Sequence, residues 1–293
     1  MRVAVISDIH SNYEAFKAVV DDAQKEKVEA FIFLGDYVSD LAEPIKTLDL
    51  LYEIKDKYLT YCLKGNRERY MLEYDADRSG LSYGSQTGSL LYTYQQLRAQ
   101  DLAFFQSLKI YDVVEIAGVK LEIAHAAKDD DRYLFNDRSA KIDKIFQQMT
   151  TSYYLTGHCH KQYHKTHLGK TIINPGSSGL PQDQNWLAKY ALLDIEDGKL
   201  NFSLKAVTYD LLRTVHAQFA SGLVDCARYW AIGALYDVIT GEDWVVKLLE
   251  KVCATHEEAD ETAWAKEAEK LGMKFSEAEI IELATITMQD NNH

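Results

Sequence analysis

Arg2-Val3-Ala4-Val5-Ile6-Ser7-Asp8-Ile9-His10 is an apolar, β-prone run that ends in a carboxylate and an imidazole. Residues 2–7 read as a buried strand. The same pattern returns at Phe31-Ile32-Phe33-Leu34 before Gly35-Asp36, and at Leu59-Thr60-Tyr61-Cys62-Leu63 before Gly65-Asn66. Helical spacing fills the gaps, from Asn12 to Glu26 with Ser11 or Asn12 as cap, and from Leu41 to Asp56. This β-α-β-α-β order predicts a parallel sheet with crossover helices. Side chains at the C-terminal ends of such strands lie where open α/β sheets carry their chemistry.

Further along, residues 69–108 read as mostly helical, with a Gly/Ser-rich break from Ser79 to Ser89. Strands resume at Tyr111–Ile116 and Lys120–Ala124, joined by Ala117-Gly118 as a hairpin, and His125 follows directly. Lys141–Met149 reads as helix and Tyr153–Thr156 as strand before Gly157-His158-Cys159-His160. Lys170–Ile173, Lys189–Ile195 and Leu200–Val207 read as strands, the last two joined at Asp197-Gly198. After Asp210 the strand signals fade. Leu211 to about Leu283 is expected to be a helical tail on the core with a disordered tip, serving to cap a site or to form a homodimer surface.

The chain has 293 residues, 47% of them hydrophobic, which is enough for a sizeable core. Its net charge of −13 disfavours general nucleic-acid binding but not a small anionic substrate. The opening apolar run is too short for a signal peptide or a membrane span. Four cysteines lie far apart with no CxxC pair, so neither a disulfide framework nor a thiolate zinc site is indicated. These features give the expectation of a cytoplasmic protein with no membrane partner.

Asp8 and His10 are two apart, so on an extended strand end they would point the same way and hold one metal. Asp36 follows a glycine that allows a sharp turn, and its carboxylate is able to bridge two ions. Asn66 follows Gly65 in the same manner, and His158 and His160 repeat the two-residue spacing. Oxygen and imidazole ligands without thiolates suit Mn, Fe, Zn or Ni, and no sequence rule separates these. Two such ions about 3.5–4 Å apart clamp a phosphate and generate a hydroxide nucleophile. Each piece alone has a plain reading as a turn or a core histidine. Five segments in order, each after a β-prone run, do not.

With these residues in view, the chain resembles the calcineurin-like metallophosphoesterases, whose pattern is D-x-H, G-D, G-N-[HC]-[DE], H and G-H-x-H. Here the pattern stands as Asp8-Ile9-His10, Gly35-Asp36, Gly65-Asn66-Arg67-Glu68, His125-Ala126 and Gly157-His158-Cys159-His160. Asn174-Pro175-Gly176-Ser177 is similar to bacterial phosphodiesterase-like members, a branch that includes diadenosine polyphosphate hydrolases. The resemblance covers roughly residues 1–208 as a metallophosphoesterase domain with a helical insert at about 69–108, leaving 209–293 as a helical extension. It implies a four-layer α/β/β/α sandwich of two mixed sheets. It implies one ion held by Asp8, His10, Asp36 and His160, and a second held by Asp36, Asn66, His125 and His158, with manganese or iron favoured. The implied activity is hydrolysis of phosphodiesters or nucleotide phosphoanhydrides by a bridging hydroxide. A Ser/Thr phosphoprotein phosphatase and a non-catalytic scaffold are the alternatives.

One position departs from the pattern. Arg67 stands where many relatives carry a histidine that protonates the leaving group. Arginine stays protonated and is no general acid, but it grips two phosphate oxygens in a fork. Its plain alternatives are a solvated arginine or a pair with Glu68. Asn12 is a second candidate substrate contact, and Tyr70, Tyr74, Tyr83 and Tyr133 are candidates to stack a base. Cys159, His164, His167 and the charge run Lys128–Arg132 read as structural or surface residues.

Overall fold

The computed structural model describes residues 1–256 and 259–290. Ten strands form two five-stranded mixed sheets. The first takes β1 (Arg2–Ile6), β2 (Ala30–Phe33), β3 (Leu59–Cys62), β9 (Ala188–Glu196) and β10 (Lys199–Val207) in the order β10-β9-β1-β2-β3. The second takes β4 (Tyr111–Ile116), β5 (Val119–Ala124), β6 (Tyr153–Leu155), β7 (Gln162–His167) and β8 (Lys170–Pro175) in the order β4-β5-β6-β8-β7. The parallel β1-β2-β3 core is the one the sequence predicts. β1 pairs on its other side with β9, antiparallel, Val3 opposite Leu193.

Alternation along the strands explains the layers. Val3, Val5, Ala30 and Ile32 meet Leu121, Ile123, Leu155 and Ile173 between the two sheets. Ala4, Ile6, Phe31 and Phe33 face the other way, onto α1 (Tyr13–Lys25) and α2 (Pro44–Lys57). Ala124, Tyr154 and Ile172 face outward onto α6 (Ile142–Gln148). The result is a four-layer α/β/β/α sandwich.

The segment after Asn66 forms α3 (Asn66–Asp77), α4 (Ser85–Gln96) and α5 (Ala99–Ser107). After β10 come α7 (Leu211–Ala220), α8 (Leu223–Thr240), α9 (Trp244–Thr255), α10 (Glu261–Lys270) and α11 (Glu277–Asp290). Their apolar faces build one cluster around Val215, Leu235, Trp230 and Trp264, which also takes in Leu41, Leu180 and Trp186 from the sandwich. α11 carries the tail in helical form to Asp290, past the point where the sequence suggests disorder. The last three residues lie outside the described region. Among the described residues no helix is long and apolar enough to cross a membrane.

Candidate metal centre

The loops that leave β1, β2 and β6 are not continuations of the strands. Asp8, His10, Asp36, His158 and His160 have φ of 54°, 51°, 55°, 64° and 55°. The expectation that paired ligands share a face by strand alternation is therefore replaced. They converge because a left-handed residue at each position turns the side chain inward, a conformation that costs a non-glycine residue energy unless its surroundings enforce it. The enforcement is a mesh of main-chain hydrogen bonds. Asp8 N donates to Gly35 O, Ile9 and His10 N to Asp36 O, Gly157 N to His125 O and Gly179 N to Asp8 O, at 2.8–3.1 Å. Glycine is required where these loops touch. A Cβ on Gly35, at φ 102°, would lie 2.4 Å from Gly65 N, and one on Gly157 would lie 1.9 Å from Ser7 Oγ.

Six of the seven ligands expected from sequence come together as two buried or nearly buried groups. One is Asp8, His10 and His160, the other Asp36, His125 and His158, and within each group the ligating atoms lie within 4.8 Å of one another. Asn66 joins the second, its Oδ1 3.2 Å from His125 Nε2. Asp36 Oδ2 stands 3.4 Å from His125 Nε2 and 3.7 Å from His10 Nε2, within reach of both groups.

The tautomers follow from the outer partners. His10 Nδ1 faces Asp40 Oδ2 at 3.0 Å, His160 Nδ1 faces Leu180 O at 2.7 Å, and His125 Nδ1 faces Leu34 O at 2.9 Å. Each Nδ1 therefore carries the proton in the neutral ring, and each Nε2 presents a lone pair. Those of His10 and His160 face each other at 3.1 Å, with Asp8 Oδ1 3.4 Å from His160 Nε2. Lone pairs and carboxylates packed this way repel unless a cation lies among them. The residues fit metal ions on that ground.

The titration tendencies of the bare protein carry the same message. Burial opposes charge on His125, but Asp36 and Asp8 outweigh it and raise the ring to about 10. Burial likewise opposes charge on Asp8, yet His160 and His125 bring it down to about 2. His158 is pushed down to about 4 by burial and by its neighbour His125. The carboxylates draw positive charge to the centre, and the rings cannot all supply it.

Arg67 pairs with Asp40, Nη2 to Oδ2 3.0 Å, rather than with Glu68, and its side chain is 19% exposed. Its amide donates to Asp36 Oδ1 at 2.8 Å. Glu68 turns inward, and its carboxylate accepts from the amides of Asp36, Tyr37 and Gly65 at 2.8–2.9 Å. Asp40, which sequence reasoning did not single out, is a junction. It accepts from Ser39 Oγ at 2.9 Å and Trp230 Nε1 at 2.8 Å as well as facing His10 and Arg67. Asn12 is 1% exposed, caps α1 through Oδ1, and donates from Nδ2 to Gly179 O. It does not line the central cavity.

That cavity, of ≈220 Å³, is lined by Asp36, Asn66, Arg67, His158 and His160 on one side. Trp230, Ala234 and Asp237 from α8, with Asp243 and Val245 beyond it, form the other side. Arg67 and Trp230 also border a second cavity of ≈620 Å³ that includes Tyr70 and Tyr74. Tyr83 and Tyr133 line neither. Cys159 is buried, with Asn174 Nδ2 3.3 Å from its sulfur. His164 and His167 are exposed on β7. In the charge run, Asp131 is buried and holds Arg69 by two bonds, so that stretch is anchored to α3 rather than wholly solvated.

Residues 1–198 match the family model described as the calcineurin-like phosphoesterase superfamily domain. The uncharacterized protein MJ0912 of Methanocaldococcus jannaschii is 29% identical over 227 residues, covering 71% of this chain and 88% of that protein. The fold is similar to the crystal structure of a metallophosphoesterase from Sphaerobacter thermophilus (TM-score 0.62, 21% identity, 82% of this chain and 99% of that one). It is also similar to hypothetical protein PH1004 from Pyrococcus horikoshii (TM-score 0.67, 17% identity, 82% and 98%).

Proposed function

Because the chain belongs to the calcineurin-like phosphoesterase superfamily, we propose that it hydrolyses phosphodiesters or nucleotide phosphoanhydrides at a two-metal centre. The observation that carries this reading is the convergence of the Nε2 atoms of His10, His125 and His160 and two carboxylates on one buried centre. Asp8, His10, Asp36 and His160 would hold one ion, and Asp36, Asn66, His125 and His158 the other. Manganese or iron is our favoured pair. When bound, such ions polarise phosphoryl oxygens and make water a nucleophile at neutral pH.

The protein's own groups do the rest. Asp40 and Leu180 O orient the histidines through their Nδ1 protons. Arg67, held by Asp40 at the cavity wall, offers its remaining guanidinium N–H groups to phosphate oxygens. A ≈220 Å³ cavity supports a small phosphorylated substrate over a phosphoprotein. We take residues 1–208 as the catalytic unit and 209–293 as an extension that walls the cavity, in a cytoplasmic protein.

The test is hydrolysis of bis-p-nitrophenyl phosphate by the manganese-loaded full chain. Turnover that Asp36→Asn abolishes is expected. Near-normal turnover by that variant would sink the mechanism.

A further inference from the structure

The leaving group needs a proton, and Arg67 does not give one up. Another group on the cavity wall is suited to the task. Asp237, near the end of α8, is 1% exposed and lines the same cavity as Asn66, Arg67 and His160. Its two oxygens have different surroundings. Oδ1 accepts from the amides of Trp244 at 2.6 Å and Val245 at 3.1 Å, and so caps the start of α9. Oδ2 is buried and has no partner.

The charged groups that bear on Asp237 are Asp243 and Asp40, both acidic. Among the described residues it forms no ion pair. An ionised carboxylate buried without a counter-ion is costly and takes up a proton instead. Burial, reinforced by Asp243, accordingly holds this carboxyl well above the usual carboxylate range. A protonated Oδ2 is an O–H donor with no acceptor in the protein, on a residue that lines the cavity beside the candidate metal centre. A purely structural cap would need only Oδ1.

We propose that Asp237 is the general acid of the reaction, placed there by the helical extension, an assignment that rests on the hydrolytic reading above. As the water oxygen bonds to phosphorus, the bond from phosphorus to the leaving oxygen breaks. Its electron pair stays on that oxygen, which takes the proton from Asp237 Oδ2. The proton that the attacking water gave up returns to Asp237 through solvent.

Asp237→Asn tests this while keeping an oxygen for the two amides of α9. The manganese-loaded full chain is assayed on bis-p-nitrophenyl phosphate, whose leaving group needs no proton, and on diphenyl phosphate, whose leaving group does. The variant should stay within about threefold of the parent on the first ester. It should fall by about a hundredfold or more on the second, the range of general-acid catalysis. Parallel losses on both esters would reduce Asp237 to a structural cap and overturn the proposal. A second readout is independent of turnover. The infrared carbonyl stretch of a protonated carboxyl should vanish in Asp237→Asn, and an unchanged spectrum also overturns it. A parent protein inert on both esters would instead bring down the hydrolytic reading, and the acid role with it.

Discussion

The strand-end loops and the helical extension serve the same cavity by different means. The loops deliver their side chains from two- to four-residue motifs whose chemistry is visible in line, held by left-handed backbone and main-chain hydrogen bonds. The extension delivers Trp230 and Asp237 from ordinary helix positions, and they matter only because α8 packs where it does. Trp230 meets Asp40 across 190 residues of sequence. The loops thus set the charge of the candidate metal centre, and the extension supplies the facing wall of its cavity. A change in the first is expected to remove the metal centre, and a change in the second to alter how the substrate and its leaving group are handled.

Four experiments bear on that contrast, from the strongest expected effect to the weakest. Asp36→Asn removes the carboxylate within reach of both histidine groups, and kcat should fall at least about a thousandfold, the several kcal/mol a metal clamp supplies. Retention of more than a tenth of the activity would break the claim that the loops set the charge. Chelation of the purified protein should lower its melting temperature by on the order of 5–15 °C, since ions bound far above their Kd add about 3–4 kcal/mol. An unchanged melting curve would show that the centre is stable without cations. Asp40→Asn weakens the junction between the two regions, and metal affinity read by calorimetry should drop about 10–100-fold, as for other outer partners of ligating histidines. Trp230→Phe keeps an aromatic ring but deletes the indole N–H to Asp40, worth about 1 kcal/mol, and trims the ring system at the cavity wall, so a few-fold rise in KM with intact metal content is expected. Loss of metal in this last variant would erase the distinction between the regions.

The parallel core and the seven candidate ligand positions were legible because buried strands carry unbroken apolar runs and the candidates follow them at once. The left-handed loops were not, since a D-x-H motif reads equally well as extended chain. The Arg67–Glu68 pairing failed for a simple reason. Both lie in the first turn of α3, and adjacent helical residues point in different directions, so Glu68 turned to the amides and Arg67 to Asp40. β7 escaped notice because Gln162-Tyr163-His164-Lys165-Thr166-His167 is an edge strand with only Tyr163 buried. The helices after Asp210 were readable as helices. That residues such as Trp230, Asp237 and Val245 reach the cavity was not, because no local pattern encodes contact with a distant loop.

The pairing of β1 with β9 bears on how the protein is made. β1 gains β2 within about thirty residues, but its other edge has no partner until residues 188–196 have been synthesised. At about 5–20 residues per second that interval is on the order of 10–30 s. Throughout it the strand that introduces Asp8 and His10 presents an unpaired apolar edge, the kind that invites wrong pairing. The nascent chain is therefore expected to expose that edge until most of it has been translated, and a chain stopped before β9 is expected to aggregate.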